Sequence, residues 1–211
     1  MNQRFQTYIW GNSHTLLSTL AGAGLLIIAS SRLAFALVAC GALLWVYGLT
    51  VLTAFAAKPI LPKGGIQVIF LFLSSLIGSL FLLVLWLMSP FLALRSAFII
   101  LLCPVYCMGS EIFVHLAAET LERALVKTLI DAAILGLLII AFALIREPLG
   151  FMTLSLPGGA GQGMIELFKD DDGTALFPIR ILASAGGALL LLGYGVALFN
   201  HLKKPYIQKE Q

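Results

Sequence analysis

The stretch IQVIFLFLSSLIGSLFLLVLWLM, from Ile66 to Met88, carries no charged residue and is long enough to cross a lipid bilayer. A helix that spans the ~30 Å hydrocarbon layer needs about 20 apolar residues. Three further runs meet this requirement, at Leu33–Ala57, 124–145 and 177–199. The chain is 60% hydrophobic and 11% charged, whereas a soluble domain has about 25% charged residues. The sequence therefore predicts an integral membrane protein. It is all-helical, because nothing shows the ~10-residue alternation of a membrane β-barrel.

Two shorter apolar runs complete a set of six, and each of them contains residues that a helix resists. The first run contains Gly22 and Gly24, and the fourth contains Pro104 and ends near Gly109. These positions predict that helices 1 and 4 are broken within the membrane. Broken helices at matching places in two inverted halves indicate a functional site near the bilayer midplane.

The predicted fold is one transmembrane domain over residues 1–211. It has six helices in two inverted three-helix repeats, at about 12–88 and 89–200, since three crossings per half turn the halves upside down relative to each other. The repeat is based on layout, because the letters of the two halves do not visibly align.

The basic residues indicate how the chain is oriented. With six crossings both termini share a side, and that side carries Arg4, Lys58, Lys63, Arg123, Lys127, Lys203, Lys204 and Lys209. The other side carries Arg32, Arg95, Arg146, Lys169 and Arg180 with the acidic residues 170–172. The positive-inside rule therefore predicts that both termini are cytoplasmic. A cleaved signal peptide is the alternative interpretation of residues 1–32, although the long tail before the first run disfavours it.

Three cysteines are candidates for metal binding or packing. Cys40 stands alone in the second run, which is typical of a small packing residue. Cys103 and Cys107 are four residues apart, so a regular helix would place both thiols on one face. Two thiols do not complete a four-thiolate iron–sulfur site, and a partner chain would have to supply the rest. Ordinary buried thiols are the alternative.

Ionisable residues recur every four positions before and inside the fifth run, at Glu111, His115, Glu119, Arg123, Lys127 and Asp131. Neighbours in this series can interact, and a solvated interfacial helix is the simplest interpretation. A metal site formed by the first three is the alternative. Asp131 precedes an almost wholly apolar stretch, so it either faces a cavity or partner within the membrane or pairs with Lys127 near the interface. The glycines at 158–163 lack the Lys-Ser/Thr of a phosphate loop, and nothing in the pattern indicates a nucleic-acid partner.

The segment IREPLGFMTL at residues 145–154 resembles a family signature, Arg-Glu-x-x-Gly-x-Gly-x-Leu, that closes the fifth helix. The family comprises the small membrane subunits of the Rnf and sodium-translocating NADH:quinone reductase complexes. Arg146, Glu147 and Gly150 match the signature, and Met152 replaces its second glycine. Residues 102–113 also resemble the family's broken fourth helix, in which Asn-Cys leads into a hydrophobic-Gly pair like Met108-Gly109.

The resemblance implies that the chain pairs with an inverted homologous subunit. In the family, each subunit supplies one cysteine from each broken helix to a [2Fe-2S] cluster held between them. Here the first break has no cysteine, and the second has Val105 nearest the family position, with Cys103 and Cys107 on either side. The glycines at 186, 187, 193 and 195 on the sixth helix allow close helix approach, either to such a partner or within the chain.

The expected function follows from the same resemblance. It implies a subunit of a multi-subunit translocase in the bacterial cytoplasmic membrane, coupling electron transfer to Na⁺ or H⁺ movement alongside other membrane subunits. Cys103 and Cys107 are the candidate cluster ligands, and Asp131 is the candidate acid on the ion path. The alternatives are a transporter subunit without a redox centre and an assembly subunit that kept the fold and lost the cluster.

Overall fold

The computed structural model describes residues 16–57, 66–109, 120–158, 164–166 and 180–207. Their elements are helices α1 (Leu16–Ala29), α2 (Leu33–Ala57), α3 (Ile66–Met88), α4 (Pro90–Gly109), α5 (Leu121–Phe151), α6 (Arg180–Ala183) and α7 (Ala185–Ile207), with strands β1 (Ser155–Pro157) and β2 (Met164–Glu166). The two short strands pair antiparallel, with Leu156 opposite Ile165. The helical prediction is confirmed.

Four helices of the described chain are long and apolar enough to cross a membrane, at Leu33–Ala57, Ile69–Met88, Pro90–Cys107 and Leu121–Phe151. These helices identify a multi-pass membrane protein. The bounds predicted for the second and third runs match α2 and α3 residue for residue. In contrast, α1 is described over only 14 residues, and the apolar part of α7 is also short, at Ala185–Gly195. The six crossings and the inverted repeat therefore stay predictions.

Helix α2 lies at the centre of the bundle and packs antiparallel against α5. A Cβ atom on Gly136 would lie 2.6 Å from Cys40 Sγ, and one on Gly48 would lie 3.6 Å from a methyl carbon of Leu129. The buried face of α5 is made mostly of small residues: Ala124, Thr128, Ala132, Gly136, Ile139 and Ala143. The hydrophobic effect does not drive helices together within lipid. Small side chains instead stabilise the pair because they allow the two backbones to come into close contact.

Helices α3 and α4 form a tight hairpin at Ser89. Gly78 of α3 makes room for Pro104 of α4, because a Cβ atom there would lie 3.1 Å from the proline Cγ. On its other side α3 packs against α2, where the rings of Phe81 and Trp45 are 6.0 Å apart. Large apolar side chains on the outer faces of α3 and α4 are exposed, as expected of surfaces that meet lipid.

The breaks predicted at Gly22, Gly24 and Pro104 are wrong. Helix α1 continues through both glycines, and α4 continues through Pro104. Helix α4 ends at Gly109, and the residues that follow lie outside the described part of the chain, so a break there stays a prediction. Gly22 is a packing residue, since a Cβ atom there would lie 2.9 Å from the Tyr106 ring. Pro104 is tolerated because membrane helices accommodate proline where neighbouring elements fit around it.

The observed discontinuity lies in the sixth apolar run, at Ser184 between α6 and α7. The Ser184 hydroxyl donates to Ile181 O at 2.7 Å and accepts from the Gly187 N–H at 3.3 Å. The serine therefore caps the first turn of α7. A side chain on Gly187 would overlap the backbone of Ile181 and Leu182, so the sharp change of direction needs glycine at that position.

Candidate functional site

We describe two clusters of polar side chains that are buried among the described helices, and the first surrounds the end of α5. We call it the helix-end cluster, and it consists of Arg146, Glu147 and Gly150 with the helix ends that they contact. Arg146 is 2% exposed and Glu147 is fully buried. Buried ionisable residues in membrane helices are costly and need partners.

The Arg146 guanidinium binds the C-terminal ends of two helices. It donates from Nε to Leu182 O (2.8 Å), from Nη1 to Ile27 O (2.7 Å) and Ser30 Oγ (3.0 Å), and from Nη2 to Ala183 O (3.0 Å) and Ser184 O (2.9 Å). A guanidinium has five N–H donors, so every one of them is used. The acceptors are carbonyl groups at the negative ends of α1 and α6, which favour a cation, together with one hydroxyl.

Glu147 binds the opposite kind of helix end. Its Oε2 accepts from the Leu33 N–H at 2.6 Å, and the Ser155 hydroxyl oxygen accepts from the Ala34 N–H at 3.4 Å. Both amides belong to the first turn of α2, where a negative charge is favourable. Among the residues that the structure describes, the other carboxylate oxygen of Glu147 has no hydrogen-bond partner.

Gly150 and Met152 complete the turn that follows. A Cβ atom on Gly150 would lie 3.0 Å from the Ala183 backbone nitrogen, so glycine lets α6 approach α5. Met152 ends α5 in the left-handed conformation, with φ 52° and ψ 27°, a geometry that glycine adopts most readily. One junction, at the end of α5, therefore contains all the residues of the Arg-Glu-x-x-Gly motif. It also contains Met152, at the position of the signature's second glycine.

The second polar group, which we call the thiol cluster, consists of Cys103, Cys107 and Tyr106 on α4 with Tyr47 and Thr50 on α2. Both cysteines are buried and neither is in a disulfide. The Cys103 thiol donates to Ile99 O at 3.4 Å, and Cys107 lies beside Thr50. The rings of Tyr106 and Tyr47 are 6.1 Å apart. Cys103 and Cys107 therefore both face the core, as their four-residue spacing predicts.

Asp131 approaches the thiol cluster from α5. Its side chain is half-buried, and its carboxyl group interacts electrostatically with the Tyr106 hydroxyl. Tyr106 also packs on Gly22 of α1. Gly22, Cys107 and Asp131, which the sequence singled out separately, are therefore joined through one tyrosine that the sequence did not single out.

Cys40 takes no part in the thiol cluster. It packs on Gly136, and along α2 it lies ten residues before Thr50, which corresponds to about 15 Å of helix rise. The interpretation of Cys40 as a packing residue agrees with this contact. A four-thiolate site would need its other two ligands from a second chain, and the two remaining thiols are buried within this one.

Within the described residues, no three His, Cys, Asp or Glu side chains are grouped as a metal site. Glu111, His115 and Glu119, the alternative metal group, lie outside the described residues, as does most of the predicted interfacial helix. Comparison of the chain with protein-family models, curated proteins and solved structures finds no match.

Proposed function

We propose that this chain is a membrane subunit of an Rnf/Nqr-like, ion-translocating electron-transfer complex. The observation that carries the proposal is the helix-end cluster. Arg146, Glu147 and Gly150, the residues that carry the resemblance, are buried together and hold one junction. Met152, which stands where the signature has glycine, has a backbone conformation that favours glycine. The signature residues therefore have a structural role in this chain, which supports a fold shared with the family.

The packing of the helices supports the inverted arrangement that the proposal requires. A pseudo-twofold axis in the membrane plane would bring α1 next to α4 and α2 next to α5, and both pairs pack. In the proposed topology six helices cross the membrane and both termini are cytoplasmic. Reporter fusions after Ala57 and after Asp172 should report opposite sides. Identical signals from both fusions would contradict this topology.

The proposed redox role belongs to the thiol cluster. Cys103 and Cys107 would hold one side of a [2Fe-2S] cluster, which supplies one-electron transfer when bound. An inverted homologous subunit would provide the remaining thiolates. Asp131 and Cys107 both interact electrostatically with Tyr106, and we assign Asp131 to the uptake of Na⁺ or H⁺ that accompanies the redox change.

The test is purification of the intact complex through an affinity tag on this chain. The expected result is co-purification of flavin and iron–sulfur subunits, with iron and acid-labile sulfide in equal amounts and a visible absorption spectrum. A stable, active protein without redox subunits would contradict the proposal and favour a transporter that binds its substrate without a redox centre.

An assembly subunit is the second candidate, and the first half of the chain favours it. From α1, Gly22 packs on the Tyr106 ring, and neither Gly22 nor its neighbours are cysteines. In that case the same redox subunits would co-purify and would be lost on deletion of this chain, whereas iron would be absent from the membrane part.

A further inference from the structure

We propose that the five oxygens around Arg146 form a cation-binding cradle that holds the chain's own guanidinium group. A free alkylguanidinium ion should enter this cradle when the Arg146 side chain is removed. The cradle consists of four carbonyl oxygens and one hydroxyl oxygen, from Ile27, Ser30, Leu182, Ala183 and Ser184.

The geometry of the cradle suits a planar, forked cation. The five donor–acceptor distances all lie between 2.7 and 3.0 Å, and each guanidinium N–H has its own acceptor. All five acceptors are uncharged, so the cation is stabilised by carbonyl dipoles at two helix ends. A lysine ammonium group has only three donors on a point charge, and it would leave oxygens of the cradle without a partner.

The oxygens are positioned by contacts that do not involve Arg146. On α1, the Ser30 N–H donates to Leu26 O at 3.0 Å and continues the helix to the cradle. At the discontinuity, the Ser184 hydroxyl bonds to Ile181 O and receives the Gly187 N–H. Because each half has its own hydrogen bonds, we expect both halves to survive removal of the arginine side chain.

The cradle has a consequence for ion movement. In transporters with discontinuous helices, the carbonyl groups at the break coordinate the transported cation. The break at Ser184 has such carbonyl groups, but Arg146 occupies them. Under the ion-translocating function proposed above, the path for Na⁺ or H⁺ would therefore bypass the α6–α7 break. The occupancy of the cradle is independent of whether the thiol cluster binds iron.

The test uses the purified full-length chain with Arg146→Ala and ethylguanidinium, which supplies the atoms that the substitution removes. The thermal unfolding temperature should fall in the variant and then rise with the logarithm of ethylguanidinium concentration in the millimolar range, as for a ligand that binds only the folded state. Ethylammonium, NaCl and urea at the same concentrations should not restore it. Recovery with ethylammonium equal to that with ethylguanidinium, or no recovery at all, would overturn the proposal.

Arg95→Ala is the matched control, because Arg95 is exposed on α4 and lies outside the cradle. Its unfolding temperature should not respond to ethylguanidinium.

If Arg146→Ala does not accumulate, Ser30→Ala provides a second test. Ser30 is buried and accepts from Arg146, whereas the exposed Ser79 hydroxyl only bonds to Ser75 O. Ser30→Ala should lower the unfolding temperature more than Ser79→Ala does, and equal effects would overturn the cradle.

Discussion

The Glu147 carboxylate accepts a hydrogen bond of 2.6 Å from the Leu33 backbone N–H, although 114 positions of sequence separate the two residues. The bond joins the end of α5 to the beginning of α2. The preceding residue, Arg146, joins the same end of α5 to the ends of α1 and α6. Two adjacent residues of opposite charge thus bind helix ends of opposite polarity, and neither charge needs the other as a partner.

Glu147→Ala should destabilise the bundle more than Glu147→Gln. Alanine leaves the buried Leu33 N–H without an acceptor, which costs about 1–3 kcal/mol, whereas glutamine keeps an acceptor oxygen. The measurement is thermal unfolding of the purified chain, followed by circular dichroism. Glu122→Ala, at an exposed position of the first turn of α5, is the control and should have little effect. Equal unfolding temperatures for the wild type and Glu147→Ala would refute this assignment.

Met152→Gly should stabilise the protein. Met152 has φ 52°, and the left-handed region costs a residue with a Cβ atom about 1–2 kcal/mol. Part of that gain is lost to the greater freedom of glycine in the unfolded chain, so we expect an increase of about 1 kcal/mol. Met152→Ala keeps the unfavourable Cβ and should show no such increase. A lower unfolding temperature for the glycine variant would mean that Met152 side-chain contacts dominate.

Gly136→Ala should weaken the contact between α2 and α5. The added methyl group would lie 2.6 Å from Cys40 Sγ, and overpacking of this kind costs about 1–3 kcal/mol. Replacing Cys40 with alanine in the same chain removes the sulfur, so the double variant should regain most of the lost stability. Gly193→Ala is the control, because the space around Gly193 is open. Additive effects in the double variant would count against direct contact.

Replacing Cys103 and Cys107 together with serine should abolish iron binding by the intact complex, since serine oxygen is a far poorer iron ligand than thiolate. Cys40→Ala should retain the iron, because Cys40 packs on Gly136 instead. Iron and acid-labile sulfide analysis of the purified complex measures both. If the double variant keeps its full iron content and electron transfer, the cysteines are structural.

Asp131→Asn should reduce ion uptake while leaving assembly intact. The substitution removes the charge beside Tyr106 but keeps nearly the same volume. Uptake of Na⁺ or H⁺ into proteoliposomes containing the complex, driven by its electron donor, is the measurement. Glu122→Gln, an exposed change of the same kind, should transport at the wild-type rate. Normal transport by Asp131→Asn would remove this residue from the ion path.

Composition alone was sufficient to predict α2 and α3, because the length of an apolar run is set by the bilayer. The same reasoning underestimated the length of α5, which spans Leu121–Phe151 and not only residues 124–145. Its additional residues include Arg146 and Glu147, whose charges are acceptable only because helix ends surround them. A local scale of hydrophobicity contains no information about those distant partners.

Glycine and proline gave the least reliable predictions. The break predicted at Gly22 is wrong, because this glycine provides space for the Tyr106 ring, which approaches from α4. The sequence around a glycine in a membrane helix does not show whether the glycine bends the helix or makes room for a neighbouring side chain. The Arg-Glu motif was found in the sequence, but its partners in α1 and α6 lie up to 119 residues away. The sequence analysis does not predict the discontinuity at Ser184, although Gly186 and Gly187 follow it within three residues.

The wide spacing of the Arg146 partners has a consequence for biogenesis. Ile27 leaves the ribosome early, whereas Leu182 and Ser184 follow Arg146 by 36 and 38 residues. While the chain is being inserted, α5 therefore enters the bilayer with an arginine whose N–H groups have only part of their acceptors. The junction forms when the last apolar segment docks beside α1. A chain that is interrupted before residue 180 lacks the acceptors of α6, so its Arg146 guanidinium is left exposed to lipid.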